Sequence, residues 1–80
     1  MPYIKKSKRQ WICSGELPTN SGELNYLISL ICLDYLKIKG EKYQTYNDII
    51  GVLECAKLEL YRRKISKYEK KKIKQNGDIY

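Results

Sequence analysis

The chain has 80 residues, 42% hydrophobic and 31% charged, with a formal net charge of +7. That balance fits a folded domain rather than a disordered one, and no apolar run approaches the ~20 residues that cross a bilayer. With no histidine, and three cysteines at wide, irregular spacing, the sequence argues against a zinc site, a disulfide framework and histidine-based acid–base chemistry.

One domain spanning residues 1–80 is expected, and at this size it buries only a little over ~60% of its unfolded surface. Such domains lean on disulfides, a metal or a second copy of themselves. Cys13, Cys32 and Cys55 are odd in number and no apolar leader precedes them, which points to free thiols, no metal or other cofactor, and a reducing, cytoplasmic setting. Oligomerisation is the remaining support. The thiols read as small buried hydrophobes, with Cys13 the exposed exception.

In chain order, residues 2–5 are extended in character, and the lysine-rich run after them allows a weak helical turn around Trp11 and Ile12. Pro18, Thr19, Asn20 and Gly22 mark a break. Ser21 reads as the N-cap of a first long helix, with Glu23 complementing the dipole of its first turn. Leu24, Leu27, Ile28, Ile31, Tyr35 and Ile38 then recur every three or four residues, which predicts an amphipathic helix closed by Gly40. Thr45 and Asp48 resemble a capping box, so a second long helix is expected to begin after Thr45.

On that second helix Ile49, Val52, Leu53, Ala56 and Leu60 form one stripe, assigned to packing against the first helix. Leu58, Tyr61, Ile65 and Tyr68 form another, rotated well away from it. A continuous helix would then carry two apolar faces; the alternatives are a break near Ser66 or a second stripe packed on another chain. Gly51 costs about 1 kcal/mol relative to alanine in a helix interior, which a closely approaching backbone would explain. Asn76-Gly77 is a stop signal, and the terminal Asp-Ile-Tyr, paired with residues 2–4, would make a small strand patch. The expected fold is therefore mainly all-α: an antiparallel helical hairpin with a long basic second helix and a short two-stranded β patch from the chain termini.

The charge is uneven. Residues 1–10 carry +4, residues 11–60 carry −3, and residues 61–74 carry +7. In that last stretch Arg63, Lys64, Lys67, Lys70, Lys71 and Lys74 fall on about a third of an ideal helix, with Tyr61 and Tyr68 flanking the arc. Guanidinium groups grip phosphate through paired hydrogen bonds, lysines add point charge and tyrosines stack on bases. Tyr61, Arg62, Arg63, Lys67, Tyr68, Lys70, Lys71 and Lys74 are thus the candidate ligand-binding residues. The plainer reading is a solvated helix end whose lysines suit the macrodipole. Arg62 and Arg63 are adjacent and point to different faces, so only one shares the lysine arc; the other pairs with Glu59, Glu54 or a neighbouring subunit. No serine or carboxylate has an evident activator, and the chain reads as a non-enzyme.

Three stretches, residues 22–28 (GELNYLI), 43–63 (ending ECAKLELYRR) and 68–80 (ending KKIKQNGDIY), together with the opening MPYI, resemble a family of small, functionally uncharacterised proteins carried by bacteriophages and gut bacteria. The resemblance covers about half of the chain. It implies a compact helical protein of phage type, acting in the host cytoplasm, and supplies no activity. Between residues 7 and 21 the chain departs from that pattern, being shorter and lacking a well-formed first helix.

These features lead to the expectation of a homo-oligomer that sequesters an anionic, nucleotide-like host signalling ligand, an anti-defence role, in pockets at its subunit junctions. The alternatives are non-specific binding of nucleic acid along the basic helix and an adaptor or inhibitor docking on an acidic host protein. No membrane partner is expected.

Overall fold

A computed structural model describes the backbone of residues 5–13 and 15–80, and the side chains of 5–10 and 15–80. Among the described residues the regular structure is entirely helical. The helices are α1 (Lys6–Cys13), α2 (Ser21–Lys39), α3 (Tyr43–Leu60) and α4 (Ser66–Asn76), with a π-helical segment, Tyr61–Ile65, joining the last two without a break. The chain divides into two compact units, Met1–Thr45 and Tyr46–Tyr80. No described helix is long and apolar enough to cross a membrane.

In the first unit α1 is a helix of eight residues where only a weak turn was expected, and its presence also corrects the view that the chain lacks a formed first helix. The amides of Lys8 and Arg9 both donate to the Lys5 carbonyl, at 2.9 and 3.1 Å. The helix contacts α2, and the Arg9 guanidinium sits 5.8 Å from the centre of the Tyr26 ring.

The start of α2 is a reciprocal cap. Asn20, not Ser21, is the N-cap: it is extended and its Oδ1 accepts the Glu23 amide at 2.9 Å. Glu23 answers by accepting from the Thr19 amide (3.0 Å), the Thr19 hydroxyl (3.1 Å) and Asn20 Nδ2 (3.0 Å). Asparagine suits this site because its amide carries acceptor and donor on separate atoms, Oδ1 for the helix N–H and Nδ2 for the carboxylate. Glu23 is only 1% exposed. The Thr19 amide holds its carboxyl below the ordinary 4.5; burial opposes this, and the Thr19 hydroxyl, the Lys8 charge and the Asn20 amide assist.

At the other end of α2, Gly40 has φ 91 and ψ 151, and its amide donates to the Leu36 carbonyl at 2.8 Å. The positive φ matches the expected cap, though ψ lies outside the left-handed helical well, in a region that essentially only glycine occupies. Gly77 ends α4 in the same way, with φ 87 and ψ 151.

The second long helix begins at Tyr43, ahead of the expected start. Thr45 therefore lies inside the first turn, 4% exposed, rather than capping it. In the second unit the helix runs on through Ser66. The Ser66 amide donates to the Tyr61 carbonyl five residues back, where an α-helix would reach four.

That bond changes which residues share a face. A π turn inserts one residue into the helix, so everything after it is turned back by about 100° from its α-helical position. Ile65 and Tyr68, assigned from periodicity to a separate stripe, thereby come round to the side of Leu53 and Leu60. The helix has one principal apolar seam across the π segment, not two diverging ones.

The strand patch is also corrected. Among the described residues there is no strand, and the Tyr80 amide donates to Asp78 Oδ1 at 2.9 Å, a local turn that occupies a ladder donor. The N-terminal half of that patch, residues 2–4, lies outside the described residues. Of the thiols, Cys55 is exposed and Cys32 half-buried, both free, which corrects the buried reading of Cys55. The Cys13 side chain lies outside the described residues.

Glu23 and Thr45, both polar, are the only buried side chains among those described. The apolar stripe predicted for α2 is present in sequence, yet Ile28, Ile31 and Ile38 are exposed and Leu27, Leu30 and Leu36 only half-buried. Soluble domains normally bury such residues.

Candidate anion-binding site

The eight predicted site residues do not form one cluster. Both arginines are taken by a single acid one turn earlier: Arg62 Nη2 and Arg63 Nε donate to the two oxygens of Glu59. Adjacent side chains were expected to diverge. They converge because both lean back toward the N-terminus, as helical side chains do, and Glu59 lies at i−3 from one and i−4 from the other. Glu54 is occupied separately by Lys57, at 2.9 Å.

Tyr61 and Tyr68 are turned to other work. The Tyr61 hydroxyl donates to Glu69 Oε1 at 2.9 Å. This bond, followed by the nearby Glu69 charge and then by desolvation, pushes the phenol above its ordinary value of 10.0. Tyr68 carries the Lys72 ammonium 5.5 Å from its ring centre. Lys72 lies on the Tyr68 side of α4, off the arc shared by Lys67, Lys70, Lys71 and Lys74, and was not among the predicted site residues.

What remains is a row of lysines. Lys67, Lys70, Lys71 and Lys74 are exposed on α4, and no ion pair is recorded for them among the described residues. The nearest acid in sequence, Glu69, is engaged by Tyr61. With the π turn included, these four lysines sit on the side of the helix away from Leu53, Ile65 and Tyr68. The row is a strip of positive potential, suited to phosphate or another polyanion rather than to a single small cavity.

Clefts among the described residues also lie elsewhere. One, of about 380 Å³, runs between α4 and the C-terminal residues, where Glu69 and Asp78 join Tyr68, Lys72 and Ile79. Its two acids make it a poor anion site. Another, of about 400 Å³, lies at the end of α2 around Leu33, Leu36 and Gly40. No group of three or more potential metal ligands occurs among the described residues.

Comparison with protein families matches residues 1–79 to a domain of unknown function, DUF6899. The chain belongs to the DUF6899 family. The match runs through both compact units and takes in the cap at Asn20, the π segment and the lysine row as parts of one family domain. No curated protein and no solved structure matches the chain.

Proposed function

We propose that this DUF6899 protein is a homo-oligomer that binds a phosphate-bearing, nucleotide-like ligand and holds it without converting it. The observation that carries the reading is the lysine row of α4: four cations with no ion pair among the described residues, on a continuous helix whose opposite side exposes apolar residues. The cations call for an anionic ligand and the apolar residues for a second chain. In this reading the apolar residues join the copies, each copy presents its lysine row to the anion, and the outcome is sequestration of a signalling nucleotide in the cytoplasm, that of the host if the gene is carried by a phage.

Titration calorimetry at low salt, with a panel of mono-, di- and cyclic nucleotides, tests the proposal. At least one class should bind saturably, and the double variant Lys67→Glu/Lys71→Glu should weaken it by ~10-fold or more while helicity is retained. No saturable binding, or binding unchanged in the variant, rules the site out.

A second reading, non-specific binding of nucleic acid, is favoured by the lysines lying along a helix rather than around a cavity. It predicts an affinity loss of roughly 10³-fold between 50 and 200 mM salt if six or more phosphates are contacted. A flat salt response excludes it.

A further inference from the structure

We infer that the face running from Ile50 to Lys72 pairs with the same face of a second copy of the chain, the two helices antiparallel. The inference rests on the oligomeric reading above for the presence of a second copy, and adds the face, the direction and the register.

The face comes from the π segment. Ile50, Leu53, Lys57, Leu60, Ile65, Tyr68 and Lys72 follow one another at steps of three and four residues, except for a step of five between Leu60 and Ile65. The π turn lies within that step and absorbs the extra residue. In space the spacing is therefore an uninterrupted alternation of three and four, the seam of a two-stranded coiled coil. Its five apolar members are between 38% and 67% exposed, so the seam is open along its length.

Direction follows from charge. In a parallel pair each seam residue faces its own copy, which would set Lys57 against Lys57 and Lys72 against Lys72. It would also lay residues 61–76, net +7, beside themselves. An antiparallel pair removes both conflicts. Ile50 then lies opposite Tyr68 of the second copy, Leu53 opposite Ile65 and Lys57 opposite Leu60. Residues 46–60, net −2, come to lie against the +7 stretch. The Lys57 ammonium is already held by Glu54 at 2.9 Å, so its hydrocarbon stem, and not its charge, covers the facing leucine. The lysine row stays outward on both copies, free for the anion.

Two measurements on the full chain test this. Spin labels are placed at Cys55, with Cys13→Ser and Cys32→Ser, and separately at Lys70→Cys with all three native cysteines changed to serine. Antiparallel pairing predicts a label separation at residue 70 longer than that at residue 55 by at least ~10 Å, given the 1.5 Å rise per residue. Equal separations overturn the direction. The single variants Leu53→Asp and Ile65→Asp, both at exposed positions and checked for helicity, should each weaken self-association by at least ~10-fold. If the wild type self-associates and neither variant weakens it, the seam is wrong while the oligomeric reading stands. A wild type that is monomeric at every concentration removes both.

Discussion

The Tyr61 hydroxyl donates a 2.9 Å hydrogen bond to Glu69, eight residues further along the same helix. In an α-helix residues i and i+8 are about 80° apart and do not meet. One α turn of 3.6 residues plus one π turn of roughly 4.4 comes to about eight, so the π segment brings the two groups into line. The bond spans the segment and holds the rotation that joins the apolar residues before and after it.

This bond has a pH signature. The Tyr61 phenol is raised, so its contribution to stability is fully present below the ordinary value of 10.0 and is lost as pH rises through the raised value. Ultraviolet titration of the tyrosines should show one late-ionising phenol that is absent from Tyr61→Phe.

The cap of α2 responds at the opposite end of the scale. Glu23 is lowered below 4.5, so its contribution is present above that value and is lost as pH falls through the depressed one. Thermal melts between pH 2 and 5, followed by circular dichroism, should show an acid destabilisation that Glu23→Gln largely removes. Asn20→Ala should cost about 0.5–2 kcal/mol at neutral pH.

Deleting Lys64 shortens the step from Leu60 to Ile65 to four residues, which an ordinary α-helix accommodates with the same face alignment. Helix content should be unchanged and self-association retained. Inserting an alanine between Leu60 and Tyr61 rotates the two halves of the seam apart and should weaken association. Circular dichroism and sedimentation read both outcomes.

Glu59→Gln releases both arginines at once. The exposed ion pairs contribute about 0.2–1 kcal/mol each at most, so the melting temperature should move little, while affinity for a phosphate-bearing ligand should rise. Calorimetry against the same nucleotide panel measures it. Unchanged affinity would show that the arginines stay outside the binding surface.

Two glycines should respond in opposite directions to alanine. At Gly40 a new Cβ would meet nothing closer than Lys42 Cε at 3.9 Å, so the cost is conformational, about 1–3 kcal/mol from the positive φ. At Gly51 the space is open and the backbone helical, so alanine should stabilise by about 0.5–1 kcal/mol. Among the described residues no backbone approaches Gly51 closely, contrary to the expectation from sequence.

The helices were legible because their signals are local. Gly40 and Gly77 punctuate the chain where positive φ is required, and the apolar spacing from Leu24 to Ile38 marks α2. The cap was misplaced by one residue because Ser21 and Asn20 are both good caps, and only the reciprocal bonds of Glu23 decide between them. The site was harder to read. Periodicity admits steps of three and four, so the five-residue step from Leu60 to Ile65 looked like a change of face, and every position assigned after it was rotated by about 100°. The pairing of Arg62 and Arg63 with Glu59 was within reach, since an acid at i−3 and i−4 is visible in the sequence.

Native mass spectrometry of the protein purified at low salt tests the central claim most directly, that the chain completes its fold with a second copy and carries an anion. The prediction is an even multiple of the 9.5 kDa chain, with added mass of nucleotide size. A bare, stably folded 9.5 kDa monomer would contradict it.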